Sequence, residues 1–123
     1  MSSVYVFGGG QANKARFDDV LKLQLPDTNC LNSSGQDVEA NCTTKVESVS
    51  LAFVNSTPSA RTYHASCLVK KFMIISGGEA NNTDLSDLWA FNILDKTWYE
   101  LEILEIHCFQ AKRFHSISAV SQN

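Results

Sequence analysis

The side chains of this sequence that could do chemistry are three histidines, one arginine three residues after a proline, and aspartates that recur before apolar runs. His64, His107 and His115, with Cys108 next to the second, are metal-ligand types. A zinc site is usually announced by paired ligands two to four residues apart, because one short turn then fixes two tetrahedral positions. Adjacent His107-Cys108 with distant partners lacks that spacing, so no metal and no cofactor is expected. Asp18 and Asp19 are neighbours and would point to opposite faces of a strand, which excludes them as a general acid–base pair. Asp19 and Asp87 suit carboxylates that cap turns by accepting backbone N–H bonds. The runs GGGQANKAR and GGEANN lack the Lys-Ser/Thr and following helix of a phosphate cradle. Arg61 carries a planar fork that suits carboxylates. Those carboxylates could belong to a partner, or Arg61 could tie down its own loop or the next repeat.

Composition narrows the classes further. A formal net charge of −3 with scattered Lys and Arg argues against nucleic-acid binding, which needs a clustered basic surface. No run approaches the roughly 18 apolar residues of a membrane-spanning helix, and MSSVYVFGGG lacks the layout of a signal peptide. A soluble protein of the cytoplasm is expected, without a membrane partner. Cys67 lies in apolar sequence and reads as a small core residue. Cys30 and Cys42 share one polar segment and are the pair that an oxidising compartment would bridge. Sequons at Asn32, Asn41, Asn55 and Asn81 point the other way, toward a secreted chain.

The elements that position these residues are strands. TYHASCLV, FMIISGG, DLWAFNI and TWYELEI are rich in β-branched and aromatic residues, with Asn, Asp, Gly and Ser between them. Strands over 63–69, 72–76, 88–93 and 97–103 should form one antiparallel sheet in that order. Lys70-Lys71 is short enough only for a tight hairpin, whereas 79–86 can form a longer exposed loop. Trp98 should be buried, although Glu100 and Glu102 share its face by alternation. Segment 27–44, polar and without period, reads as a long and poorly ordered loop.

The chain repeats itself. A shift of 68 lays Gly9 and Gly10 over Gly77 and Gly78, and Asp19 over Asp87. A shift of 51 lays RTYHASCLV over KRFHSISAV, with Arg61 over Lys112 and His64 over His115. Two different shifts place an insertion in 27–44. Four strands in a unit of about 50 residues mark a β-propeller, whose blades pack side by side around a channel.

The run Pro58, Arg61, His64, Gly77-Gly78, Asp87-Leu88-Trp89 and Trp98 resembles the kelch repeat. The resemblance spans the chain and implies an all-β, kelch-type propeller fragment of about two antiparallel four-stranded blades. It divides the chain into 1–57, an incomplete blade with the inserted loop; 58–106, a complete blade; and 107–123, the first strand of the next. The first unit lacks the fourth-strand Trp and offers Val46 or Val49 instead. In this reading Gly9, Gly10, Asp19, His64, Gly77, Gly78, Asp87, Trp89, Trp98 and His115 are structural. Arg61, Tyr63 and Lys112 lie on the face that receives partners. The resemblance implies a protein-interaction module, not an enzyme, that binds another protein or peptide through loops 11–16, 56–62 and 79–86. Two alternatives stand beside it: a kelch-like enzyme acting on carbohydrate, and a secreted propeller. Since a closed ring needs at least four blades, further blades or self-association would complete it.

Overall fold

The computed structural model describes residues 2–12, 15–26, 43–52, 56–103 and 111–120. Their regular structure is β throughout, in two compact units.

The smaller unit holds β1 (Ser3–Phe7), β2 (Val20–Gln24) and β3 (Lys45–Ser48), paired antiparallel in that order. Phe7 faces Val20 in the register, and both are buried. Leu23 faces Val46, the counterpart of Trp98 in the complete sheet, but Val46 is 60% exposed and buries little. Most of the expected loop 27–44, including Cys30 and Cys42, lies outside the described residues.

The larger unit contains β4 (Ala65–Val69), β5 (Phe72–Ser76), β6 (Glu79–Ala80), β7 (Thr83–Asp84), β8 (Leu88–Asn92) and β9 (Thr97–Glu100). Its main sheet runs β4-β5-β8-β9, all antiparallel, as the sequence predicts. The first strand starts at Ala65 rather than 63 because Tyr63 has a φ of +59°, outside the β region. The Asn92 side chain forms the 93–96 turn: its Oδ1 accepts from Leu94 N at 3.0 Å and Asp95 N at 3.3 Å.

One face of this sheet is the core. Met73, Ile75, Trp89, Phe91 and Trp98 are buried on it, and Phe91 and Trp98 are cross-strand partners. Their ring centroids lie 5.0 Å apart, and Trp89 meets Trp98 edge-on at 6.3 Å. Such pairs add roughly 0.5–1.5 kcal/mol beyond burial. Glu100 shares the face but sits near its edge, exposed, which reconciles the alternation with a buried Trp98.

The expected loop 79–86 is instead the tight hairpin of β6 and β7. Asn81 and Asn82 have φ of +52° and +62°, the two left-handed central residues of a type I′ turn, and Asn adopts that conformation readily. Residues 111–120, the described part of the expected next strand at 107–123, form no strand.

Candidate functional site

The site is built from one turn used twice. In Arg61-Thr62-Tyr63-His64 and Lys112-Arg113-Phe114-His115 the aromatic residue has a φ of +59° both times. Each turn docks on a preceding glycine pair. Gly9 N donates to Arg61 O at 2.8 Å, and Arg61 N donates to Phe17 O at 3.2 Å. Gly78 N donates to Lys112 O at 2.8 Å, and Lys112 N donates to Leu85 O at 3.1 Å. The pairs that match are therefore Gly8-Gly9 and Gly77-Gly78, with φ of 70° and 102° against 62° and 102°. This corrects the expected alignment of Gly9 and Gly10 with Gly77 and Gly78. Gly10 instead bridges Arg16 at the start of a hairpin one residue longer than the β6-β7 hairpin.

Close approach explains the glycines. A Cβ on Gly8 would stand 2.8 Å from Arg61 O and 3.0 Å from the His64 ring. One on Gly77 would stand 2.7 Å from Lys112 O and 2.9 Å from the His115 ring. His64 and His115 thus each lie against the glycine pair of the preceding repeat, and His115 Nε2 also meets Ser76 Oγ at 3.2 Å.

Arg61 faces no solvent. It is 1% exposed, and all five of its N–H donors are used. Two go to Asp87 at 2.6 and 2.8 Å, two to Ser59 O and Oγ, and one to Gly77 O, the last three at 3.1 Å. The expectation that Arg61 binds a partner gives way to the tie within its own repeat, because no donor is left to offer. Asp87 also accepts from Trp89 Nε1 at 2.7 Å, so it serves a guanidinium and an indole more than a turn. Burial pushes its carboxyl up, but those hydrogen bonds outweigh it and hold the group below its ordinary value. Asp19, the matching residue, is exposed.

Tyr63 and Phe114 are the reverse case. Their rings stack at 4.2 Å between centroids, and Phe114 N donates to Tyr63 O at 3.0 Å. They remain 47% and 72% exposed. Aromatic residues in left-handed backbone with open rings are costly in conformation and bury little in return. Charged pairs border them. Arg16 binds the buried Glu79 through Nη2 at 2.9 Å and Nε at 3.2 Å, and Arg113 pairs with Asp84. Hydrogen bonds from Arg16 and from Asn82 N–H hold Glu79 below its ordinary pKa against the burial that raises it. The backbones of Thr62 and Glu79 exchange two hydrogen bonds at 2.8 and 3.1 Å. The described parts of loops 11–16, 56–62 and 79–86 thereby form one rim. Lys112 is exposed on it.

Sequence reading missed Phe114, Arg16 and Glu79. Phe114 was accessible: the shift of 51 that pairs His64 with His115 also pairs Tyr63 with Phe114. Among the described residues no group of three or more His, Cys, Asp or Glu could hold a metal, and His107 and Cys108 lie outside them. No helix among them is long and apolar enough to cross a membrane. An open groove of about 700 Å³ lies elsewhere, on the less buried sheet face beside Phe72, Ile74 and Tyr99.

A four-stranded antiparallel sheet, a glycine pair ending its second strand and a following turn docked on that pair define a propeller blade. The chain belongs to the kelch-repeat family: the KLHDC2/KLHL20/DRC7 Kelch-repeats domain matches residues 1–123. Domains of this family generally act as protein-interaction modules without catalysis. The chain is also similar to Dynein heavy chain-like protein 2 of Plasmodium falciparum (isolate 3D7), 46% identical over 50 residues. That match covers 37% of this chain and 1% of the relative's length.

Proposed function

We propose that the chain is a non-enzymatic module that binds another protein or peptide through the rim around Tyr63 and Phe114. The observation that carries this reading is the repeated exposed aromatic in left-handed backbone. Strain of this kind persists where the surroundings impose it and collects at binding sites. The stacked rings offer rigid apolar area, and the Arg16–Glu79 and Arg113–Asp84 pairs give a polar border, the usual division of a protein-binding surface. The net charge of −3 supports a protein rather than a nucleic-acid partner.

Affinity capture with the wild-type chain and with a Tyr63→Ala/Phe114→Ala double variant tests the reading. Proteins retained by the first and lost by the second, at matched thermal stability, are the expected outcome. An unchanged set of bound proteins would sink it.

A further inference from the structure

Much of the backbone that borders Tyr63 and Phe114 is already hydrogen-bonded. Thr62 and Glu79 exchange two bonds, Phe114 N donates to Tyr63 O, Lys112 N donates to Leu85 O, and Lys112 O accepts from Gly78 N. A segment seeking to add as a strand would find those groups taken. Charge on the rim is committed in the same way. Arg16 is compensated by Glu79 and Arg113 by Asp84, which weakens their pull on an acidic partner. A basic partner approaching the ring faces would meet the same two arginines and the exposed Lys112.

What the rim does present is apolar area and one donor. The two rings stack on each other yet stay largely open, and the Tyr63 hydroxyl makes no hydrogen bond among the described residues. The ligand that suits such a pair is apolar and extended, has carbonyls in need of donors, and brings few N–H groups that would have to be satisfied in the contact. A polyproline II helix has those properties. Proline lacks the N–H, its φ is fixed in advance so that docking orders little, and the carbonyls of the helix make no internal hydrogen bonds.

We propose that the partner segment is proline-rich and docks as a polyproline II helix, with its pyrrolidine rings on Tyr63 and Phe114 and one carbonyl accepting from the Tyr63 hydroxyl. The inference rests on the reading of this rim as a protein-binding surface and adds the chemistry of the partner. Both sides of the contact are stiff before they meet. The two aromatic residues share a φ of +59° in turns docked on glycine pairs, and Arg61 anchors the first turn to Asp87, Ser59 and Gly77. Little side-chain or backbone freedom is then lost on binding, which is the main cost for a small contact area.

The test is an NMR titration of the isotope-labelled 123-residue chain with a blocked oligoproline of about three helical turns. Saturable shifts of the Tyr63 and Phe114 ring protons are expected, with no such response to a blocked Gly-Ser peptide or a blocked oligoglutamate of the same length. Tyr63→Phe keeps the ring and loses the donor, so it should weaken oligoproline binding by about two- to tenfold with the rest of the spectrum unchanged. The Tyr63→Ala/Phe114→Ala variant should lose the response altogether. No saturable response to oligoproline, equal affinity in wild type and Tyr63→Phe, or tighter binding of oligoglutamate overturns the proposal. If oligoproline fails while affinity capture still depends on Tyr63 and Phe114, this inference falls and the protein-interaction reading stands.

Discussion

Arg61 and Asp87 meet through two parallel hydrogen bonds of 2.6 and 2.8 Å, and this pair locks the entry to β4 onto the entry to β8. The planar fork is needed because the same side chain also serves Ser59 and Gly77 from the other donors. A lysine ammonium has three donors on one point and cannot span those acceptors.

Removing the guanidinium should therefore cost more than one hydrogen bond. Arg61→Ala leaves the half-buried Asp87 carboxylate without its counter-charge, with the Trp89 indole still donating to it, and should destabilise by about 3 kcal/mol, the lower end for a broken buried pair. Arg61→Lys should recover less than half of that loss. Urea unfolding followed by tryptophan fluorescence measures both, and equal midpoints for wild type and Arg61→Lys would refute the fork argument.

Acid should destabilise the fold through Asp87 and Glu79. Both have folded pKa values lowered from ordinary values of 3.8 and 4.5, so the unfolded chain binds more protons between the two sets of values. Their stabilisation is complete above the unfolded values and is lost as pH falls through the folded ones. The urea midpoint should accordingly fall as pH drops below about 4.5, and the Asp87→Asn/Glu79→Gln double variant should show a shallower decline. A decline of the same slope in that variant would assign it to other carboxylates.

The glycine pairs make a graded prediction. Gly9 and Gly78 share a φ of +102°, which L residues rarely adopt. A Cβ on Gly9 meets nothing within 4 Å, while one on Gly78 meets Thr62 O at 2.7 Å. Gly9→Ala should cost only the conformational term, about 1–2 kcal/mol, and Gly78→Ala should cost distinctly more. Thermal melts should rank wild type above Gly9→Ala and Gly9→Ala above Gly78→Ala. A reversed order of the two variants would contradict the contact geometry.

The four strands of the complete blade were legible because β-branched and aromatic runs alternate with turn residues, a signal that needs no tertiary information. The glycine register was not. Gly8, Gly9 and Gly10 are identical in sequence, and only the extra residue in the following hairpin decides which two carry positive φ. The tight 81–82 turn was hidden for a related reason: Asn-Asn in a polar stretch looks like loop until strand pairing puts both residues in left-handed backbone. Arg61 shows another boundary. Its chemistry, a fork seeking a carboxylate, could be read from the residue, but the carboxylate lies 26 positions away in Asp87 and is brought near by the sheet.

The sharpest contrast is between two aromatic residues of one unit. Trp98 is 4% exposed within the Trp89–Phe91 cluster, and Trp98→Ala should cost about 3–5 kcal/mol as a large-to-small core change. Phe114 is 72% exposed and holds a φ of +59°. Phe114→Asn forfeits its stacking on Tyr63, worth about 0.5–1.5 kcal/mol, but installs a residue that tolerates left-handed backbone. The two effects oppose each other, so its denaturant midpoint should stay close to that of the parent while partner capture falls. Two measurements on the same pair of variants thus separate core from interface. If Phe114→Asn unfolds as readily as Trp98→Ala, the exposed pair holds the fold together and the strained rim has no need of a partner to explain it.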